Sequence, residues 1–214
     1  MLTSLRAGAV GLAMASSIMA GAGAQDHPAA NLPVPRSSLT DAEHARAIQL
    51  ANPQGVIAAA SQLHPSSART GATSNRVVVS NVRPVGDGKT DQRLALVTLY
   101  EYDGNTTVNR LVDVGTGAIL QEDRVQGSAA PVAEVEGEYA VSLLRADARV
   151  RKLIEPFQGQ AEFTLLLTTT EDRNSPFYGK RVLNALIATP YGYLHGGPTI
   201  AVNLTDATVI VEPR

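Results

Sequence analysis

Ninety positions apart, the chain carries nearly the same phrase twice: residues 112–120 read VDVGTGAIL and residues 202–210 read VNLTDATVI. The alignment places Val112 on Val202, Asp113 on Asn203, Val114 on Leu204 and Ile119 on Val209. The apolar alternation survives, while Asp becomes Asn and Gly-Thr-Gly becomes Thr-Asp-Ala. A duplicated catalytic site would keep its polar atoms, whereas a duplicated hairpin needs only its pleat. The repeat is therefore read as a fold built twice.

The flanking segments extend the repeat. In SSLTDAEHARAIQLAN, Thr40 is placed to cap a helix, Glu43 completes a capping box three residues on, and Asn52-Pro53 ends the helix. A weaker helical stretch is expected at 56–63. RVVVSNV and RLALVTLYEY are rich in β-branched and aromatic residues, and Asp103-Gly104 supplies a turn into TVNRLVDV. The glycines of Gly115-Thr116-Gly117 suit a tight turn into AILQEDRV, because such turns need positive φ angles.

The cycle then restarts. Val132, Val135, Tyr139 and Leu143 form one helical stripe, with Glu134, Glu138 and Arg145 opposite, and Asp147 is placed to cap a short following helix. After Pro156 come four strand candidates: AEFTLLLTTT, KRVLNALIAT, GPTIAVNL and ATVIVE. The expected fold class is α+β, with a helix laid on a four-stranded antiparallel sheet in each of two units, 38–127 and 128–214. Units of that size are small, so they are expected to pack on one another.

Residues 1–24 have one positive charge at Arg6, an apolar middle and a closing Ala22-Gly23-Ala24, the layout of a cleavable signal peptide. The expected location is periplasmic or secreted, with no membrane association after cleavage. Residues 25–37, rich in Pro and polar side chains, read as an extended linker. Cysteine is absent, which removes disulfide staples, thiolate metal sites and cysteine nucleophiles together. With 18 Lys plus Arg against 20 Asp plus Glu and no basic run, nothing offers a footprint for nucleic acid.

Four phrases in order, SLTDAEHARAIQLA, LALVTLYEYDGNTTVNRLVDVGTGAILQEDRV, EYAVSLLRADARVRKLI and GGPTIAVNLTDATVIVE, resemble the second and third amino-terminal domains of copper amine oxidases. The carriers are Leu39-Thr40-Asp41-Ala42-Glu43, Val112-Asp113-Val114-Gly115-Thr116-Gly117 and Asp147-Ala148-Arg149-Val150. The resemblance implies two tandem cystatin-like domains. In that family the chemistry lies in a later domain, where a tyrosine in an Asn-Tyr motif becomes a quinone and a His-x-His pair with a third His binds copper. This chain has no Asn-Tyr dipeptide, and His27, His44, His64 and His195 include no His-x-His pair. No cofactor, no metal and no catalytic residue is expected. The functional expectation is an exported, non-catalytic binding or interaction protein, with a separately encoded oxidase as the partner implied by the resemblance. The alternatives are an enzyme or small-ligand binder using a pocket of the fold, or a truncated oxidase relative.

Few other residues carry chemistry. Gly88-Lys89-Thr90 ends like a phosphate-binding loop, but the glycine needed five positions earlier is Arg83. Val125-Gln126-Gly127 holds only part of a protease-inhibitor hairpin motif. Glu122-Asp123 and Glu134, Glu136 and Glu138 read as solvated surface. His44 reads as a helix surface residue and His64 as a helix-end residue. The candidate binding residues are Tyr191, Tyr193 and His195 in TPYGYLHGGPT, where aromatic and imidazole edges alternate before two glycines.

Overall fold

The architecture is helix over sheet, twice. The computed structural model describes residues 38–57, 59–65, 76–86, 92–127, 130–157, 159–170 and 172–213. The segments read as signal peptide and linker, with His27 and Gly88-Lys89-Thr90, lie outside them.

The first half begins with α1 (Asp41–Ala51), entered through the expected capping box: the Glu43 backbone N–H donates to Thr40 Oγ1, and the Thr40 N–H donates to the Glu43 carboxylate at 2.8 Å. The stretch at 56–63 keeps only one 3₁₀ turn, Ala60–Leu63, among its described residues. Strands β1 (Val77–Val85), β2 (Leu94–Glu101), β3 (Thr106–Asp113) and β4 (Ile119–Gln126) follow in spatial order, every neighbour antiparallel. Helix α1 presents Ala47 and Ala51, one turn apart, to Val97, Leu99, Val108 and Val112. Small alanines let the helix lie close to a sheet whose inward residues are mainly valines and leucines.

The second half repeats the plan. Helix α2 (Glu134–Ala146) is followed by α3 (Ala148–Ile154), whose cap is Asp147: its carboxylate accepts from the Arg149 and Val150 N–H groups. The sheet runs β5 (Glu162–Thr168), β6 (Val182–Thr189), β8 (Thr199–Asn203) and β9 (Thr208–Glu212), with a two-residue strand, β7 (Gly192–Tyr193), also paired to β6. This sheet thus has five strands where four were expected. The α2 stripe is also rotated from the expected one. Ala133, Glu136, Tyr139, Ala140 and Leu144 are buried, while Val132, Val135 and Leu143 are only half-buried.

One core joins the halves. Leu63, Val78, Tyr100 and Tyr102 of the first half share a cluster with Tyr139, Leu144, Leu183, Ile187 and Val202 of the second. The expected packing of the two units on one another is met through the sheet face opposite α1, which carries Val78 and Tyr100.

The repeated phrase forms the β3–β4 and β8–β9 turns. In the first, Asp113 Oδ1 accepts from the Gly115 and Thr116 N–H groups at 2.9 and 3.1 Å, which holds its carboxyl below the usual range. In the second, Asn203 Oδ1 accepts from the Asp206 N–H at 3.2 Å. Gly117 takes φ +82° in one turn, and Ala207, its aligned counterpart, takes φ +55° in the other. The Asp-to-Asn change therefore keeps the acceptor oxygen that both turns use and adds a donor, the Asn203 Nδ2 that bonds Asp206 at 2.8 Å.

The duplication extends to an ion pair. Arg93, just before β2, donates to Glu43 from Nε at 2.7 Å and Nη2 at 2.6 Å, and to the Ser38 carbonyl at 3.0 Å. Arg181, just before β6, donates to Glu136 from Nε at 2.9 Å and Nη2 at 2.8 Å, and to the Pro131 carbonyl at 2.8 Å. Each glutamate is the third residue of its helix and accepts the cap N–H, from Thr40 or Ala133. The same bidentate clamp ties helix start to strand start in both halves.

Candidate functional site

Two places in the second half depart from the first, and they differ in kind. The first is the clamp itself. Glu136 is fully buried, which corrects its reading as solvated surface; Glu134 and Glu138 are exposed. The carboxylate is tolerated there because four hydrogen bonds saturate it: two from Arg181, one from the Ala133 N–H, and one from the Tyr102 hydroxyl at 2.6 Å. The Arg181 guanidinium also donates to the Ala130 carbonyl at 2.8 Å and lies 4.5 Å from the Tyr100 ring centroid. Arg76 lies 4.7 Å from the Tyr102 ring centroid. Burial pushes the Tyr100 hydroxyl up to about 12, and the Tyr102 hydroxyl higher still, with the Glu136 charge adding to the effect of burial. The cluster is closed and fully paired. It holds the halves together and offers no reacting group to solvent.

The second departure is open. Under the repeat, Leu94 pairs with Asp113 across β2 and β3, and Val182 pairs with Asn203 across β6 and β8. Strand β3 runs unbroken through its ladder with β2. Its counterpart stops at Asn184↔Ala201, leaves β6, and is found again at Ala188↔Tyr193 and in the Leu194 N–H bond to the Ile187 carbonyl. The register differs by four residues between the two segments. His195-Gly196-Gly197-Pro198 is therefore a four-residue excursion inserted into a strand. Gly196 takes φ +74°, which a glycine adopts without steric cost, and Pro198 brings the chain back into the sheet with no N–H to pair.

A cavity of about 280 Å³ lies at the root of the excursion. Ala185 and Ile200, the next pair in register, line it instead of continuing the ladder. Asn184, Leu186, Tyr193, His195 and Thr199 complete the part that carries chemistry. Among the described residues, the Asn184, Tyr193, His195 and Thr199 side chains have no hydrogen-bond partner. Two of the three candidate binding residues, Tyr193 and His195, thus meet at one cavity. Tyr191 does not; it sits in the β6–β7 turn and is 92% exposed. Asn184, Leu186 and Thr199 were not singled out by the sequence, because only the register shift brings them beside the excursion. A second cavity, of about 140 Å³, shares Asn184 and Thr199 and continues along the same sheet face toward Phe177 and Glu212.

The other residues weighed for chemistry are dispersed. His44 is exposed on α1, and His64 is exposed after the 3₁₀ turn. Glu122 pairs with Arg110 at 2.8 Å on the exposed strand β4. Val125, Gln126 and Gly127 close that strand, and the Gln126 side chain donates to the Gly104 and Asn105 carbonyls. A larger groove, of about 800 Å³, runs between α1 and Ile119, but it is wide open to solvent and α1 side chains form most of its wall.

No family model matches the chain, and no curated protein matches it. Among solved structures it is similar to a copper-containing benzylamine oxidase from Hansenula polymorpha, with 14% sequence identity and a TM-score of 0.46. The similarity covers 83% of this chain and 29% of the oxidase chain, so this chain spans less than a third of that oxidase's length. No helix among the described residues is long and apolar enough to cross a membrane.

Proposed function

We propose that this chain is an exported, non-catalytic binding protein made of two tandem cystatin-like units. Its recognition element is the interrupted strand of the second sheet. One observation carries the reading: an otherwise repeated strand is broken by His195–Pro198, and the break exposes Tyr193, His195, Asn184 and Thr199 around an open cavity. Excursions and bulges in strands gather where a side chain must be re-aimed. Unpartnered polar groups beside apolar walls are what a binding site presents. The motif order resembling that of copper amine oxidases supports a separately encoded oxidase as the partner, and the signal-like composition of residues 1–24 supports an encounter outside the cytoplasm.

The test uses the purified protein immobilised against a purified copper amine oxidase. The expected result is saturable one-to-one capture, weakened when Tyr193 and His195 are both replaced by alanine. Absence of capture, or equal capture by the double variant, counts against the partner and the surface respectively. A parallel incubation with copper, oxygen and an amine should release no peroxide; amine-dependent peroxide would overturn the non-catalytic assignment.

A further inference from the structure

The lining of the cavity at the excursion restricts what it can hold. It contains no Asp, Glu, Lys or Arg. An anion entering it would give up hydration and meet no Lys or Arg in return, and Glu212, opposite Thr199 across β8 and β9, lines the adjoining cavity on the same face. Leu186 forms an apolar wall, 44% exposed, and Tyr193, 50% exposed, adds a flat aromatic face at the mouth. Opposite partners in an antiparallel ladder share a face, so Tyr193, paired with Ala188, lies on the same side as Leu186 and Asn184. Asn184 brings a carboxamide that can both donate and accept, and Thr199 brings a hydroxyl; neither has a partner among the described residues. At about 280 Å³ the space is below the range of drug-sized pockets and suits one or two rings.

We infer that this cavity binds a small uncharged aromatic compound that carries one hydroxyl or carbonyl group. The ring lies against Tyr193 and Leu186, and the polar group is held by Asn184 and Thr199. The ring supplies area for burial and an edge or face for the tyrosine. The single polar group answers side chains that are otherwise left to water. The inference rests on the proposed binding surface but needs no protein partner, so partner capture and small-ligand binding can fail separately.

Phenol is the probe. The full-length protein, labelled with ¹⁵N, is titrated at pH 8 and followed by amide shifts, with toluene and benzoate in parallel. Saturable shifts are expected, clustered at Ala185–Ile187 and Tyr193–Ile200. Benzoate should bind about tenfold more weakly or worse, the penalty of an unpaired negative charge in a site without Lys or Arg. Thr199→Val should bring phenol down toward the affinity of toluene and leave toluene unchanged. Leu186→Trp, at a position already open to solvent, should fill the space and abolish binding while the remaining spectrum stays folded. Scattered or absent shifts, benzoate binding as well as phenol, or binding that survives Leu186→Trp in a folded protein would each overturn the inference.

Discussion

The two glutamate–arginine clamps are the same device in different solvents. Glu43 and Arg93 keep side chains 25% and 33% exposed, whereas Glu136 and Arg181 are fully buried. Geometry barely distinguishes them; surroundings do. The first clamp borders water and fastens α1 to β2. The second is roofed by Tyr100 and Tyr102 from the other half, so the contact between halves is made over a charge pair. A motif can thus be copied unchanged while its energetic meaning is reset by what is packed on top of it.

The largest expected effect tests that reset. Arg181→Met strands a buried carboxylate and should cost about 3–5 kcal/mol in urea unfolding, the loss typical of breaking a buried pair from one side. Arg93→Met, at the equivalent position, should shift the midpoint far less. Equal losses would mean that burial does not set the worth of the clamp. Tyr102→Phe removes one of the four hydrogen bonds on Glu136 and should cost about 1–3 kcal/mol, read in the same way. Among the described residues no tyrosine hydroxyl donates to the Glu43 carboxylate, so the effect has no counterpart in the first half.

Acid titration probes the exposed clamp. The Arg93 guanidinium holds the Glu43 carboxyl down to about 2, from an ordinary 4.5, and the Arg149 guanidinium holds Asp147 down to about 2, from 3.8. A carboxyl whose folded pKa is depressed contributes stability that is fully present above its unfolded pKa and is lost as pH falls through the folded one. Unfolding midpoints should therefore drop as pH goes from 4.5 toward 2, and Glu43→Gln should flatten part of that slope. An unchanged slope in the variant would mean that Arg93 is not its partner in solution.

The smallest effect belongs to the excursion. Tyr193→Ala and His195→Ala alter exposed side chains outside both cores and should move stability by no more than about 0.5 kcal/mol, while changing what the surface captures. A large loss of stability would make the excursion a structural element and remove its claim to recognition.

Much of the fold was legible because hairpins announce themselves locally. Alternating apolar residues, the Thr40–Glu43 box, the Asp147 cap and the paired turns at Asp113 and Asn203 all act within a few residues of themselves. Glu136 was not legible, since its burial depends on Arg181, 45 residues away, and on Tyr102, 34 residues away. Lying on the same helix as the exposed Glu134 and Glu138, it carries no local mark of its fate. The α2 stripe shifted for the same reason: the core position falls on Glu136, read as solvated surface, and leaves its neighbour Val135 half-buried. At the candidate site, the alternation of Tyr193 and His195 was visible in the sequence. Asn184 and Thr199 became visible only through the register.

The length of the excursion has a consequence of its own. Four is an even number, so odd-numbered residues point outward both before it, at Tyr193, and after it, at Thr199, and Ile200 and Val202 still reach the core. The chain has opened a window in its wall without disturbing the frame. Edits made in pairs within that window would redecorate what faces the outside and leave the interior as it was.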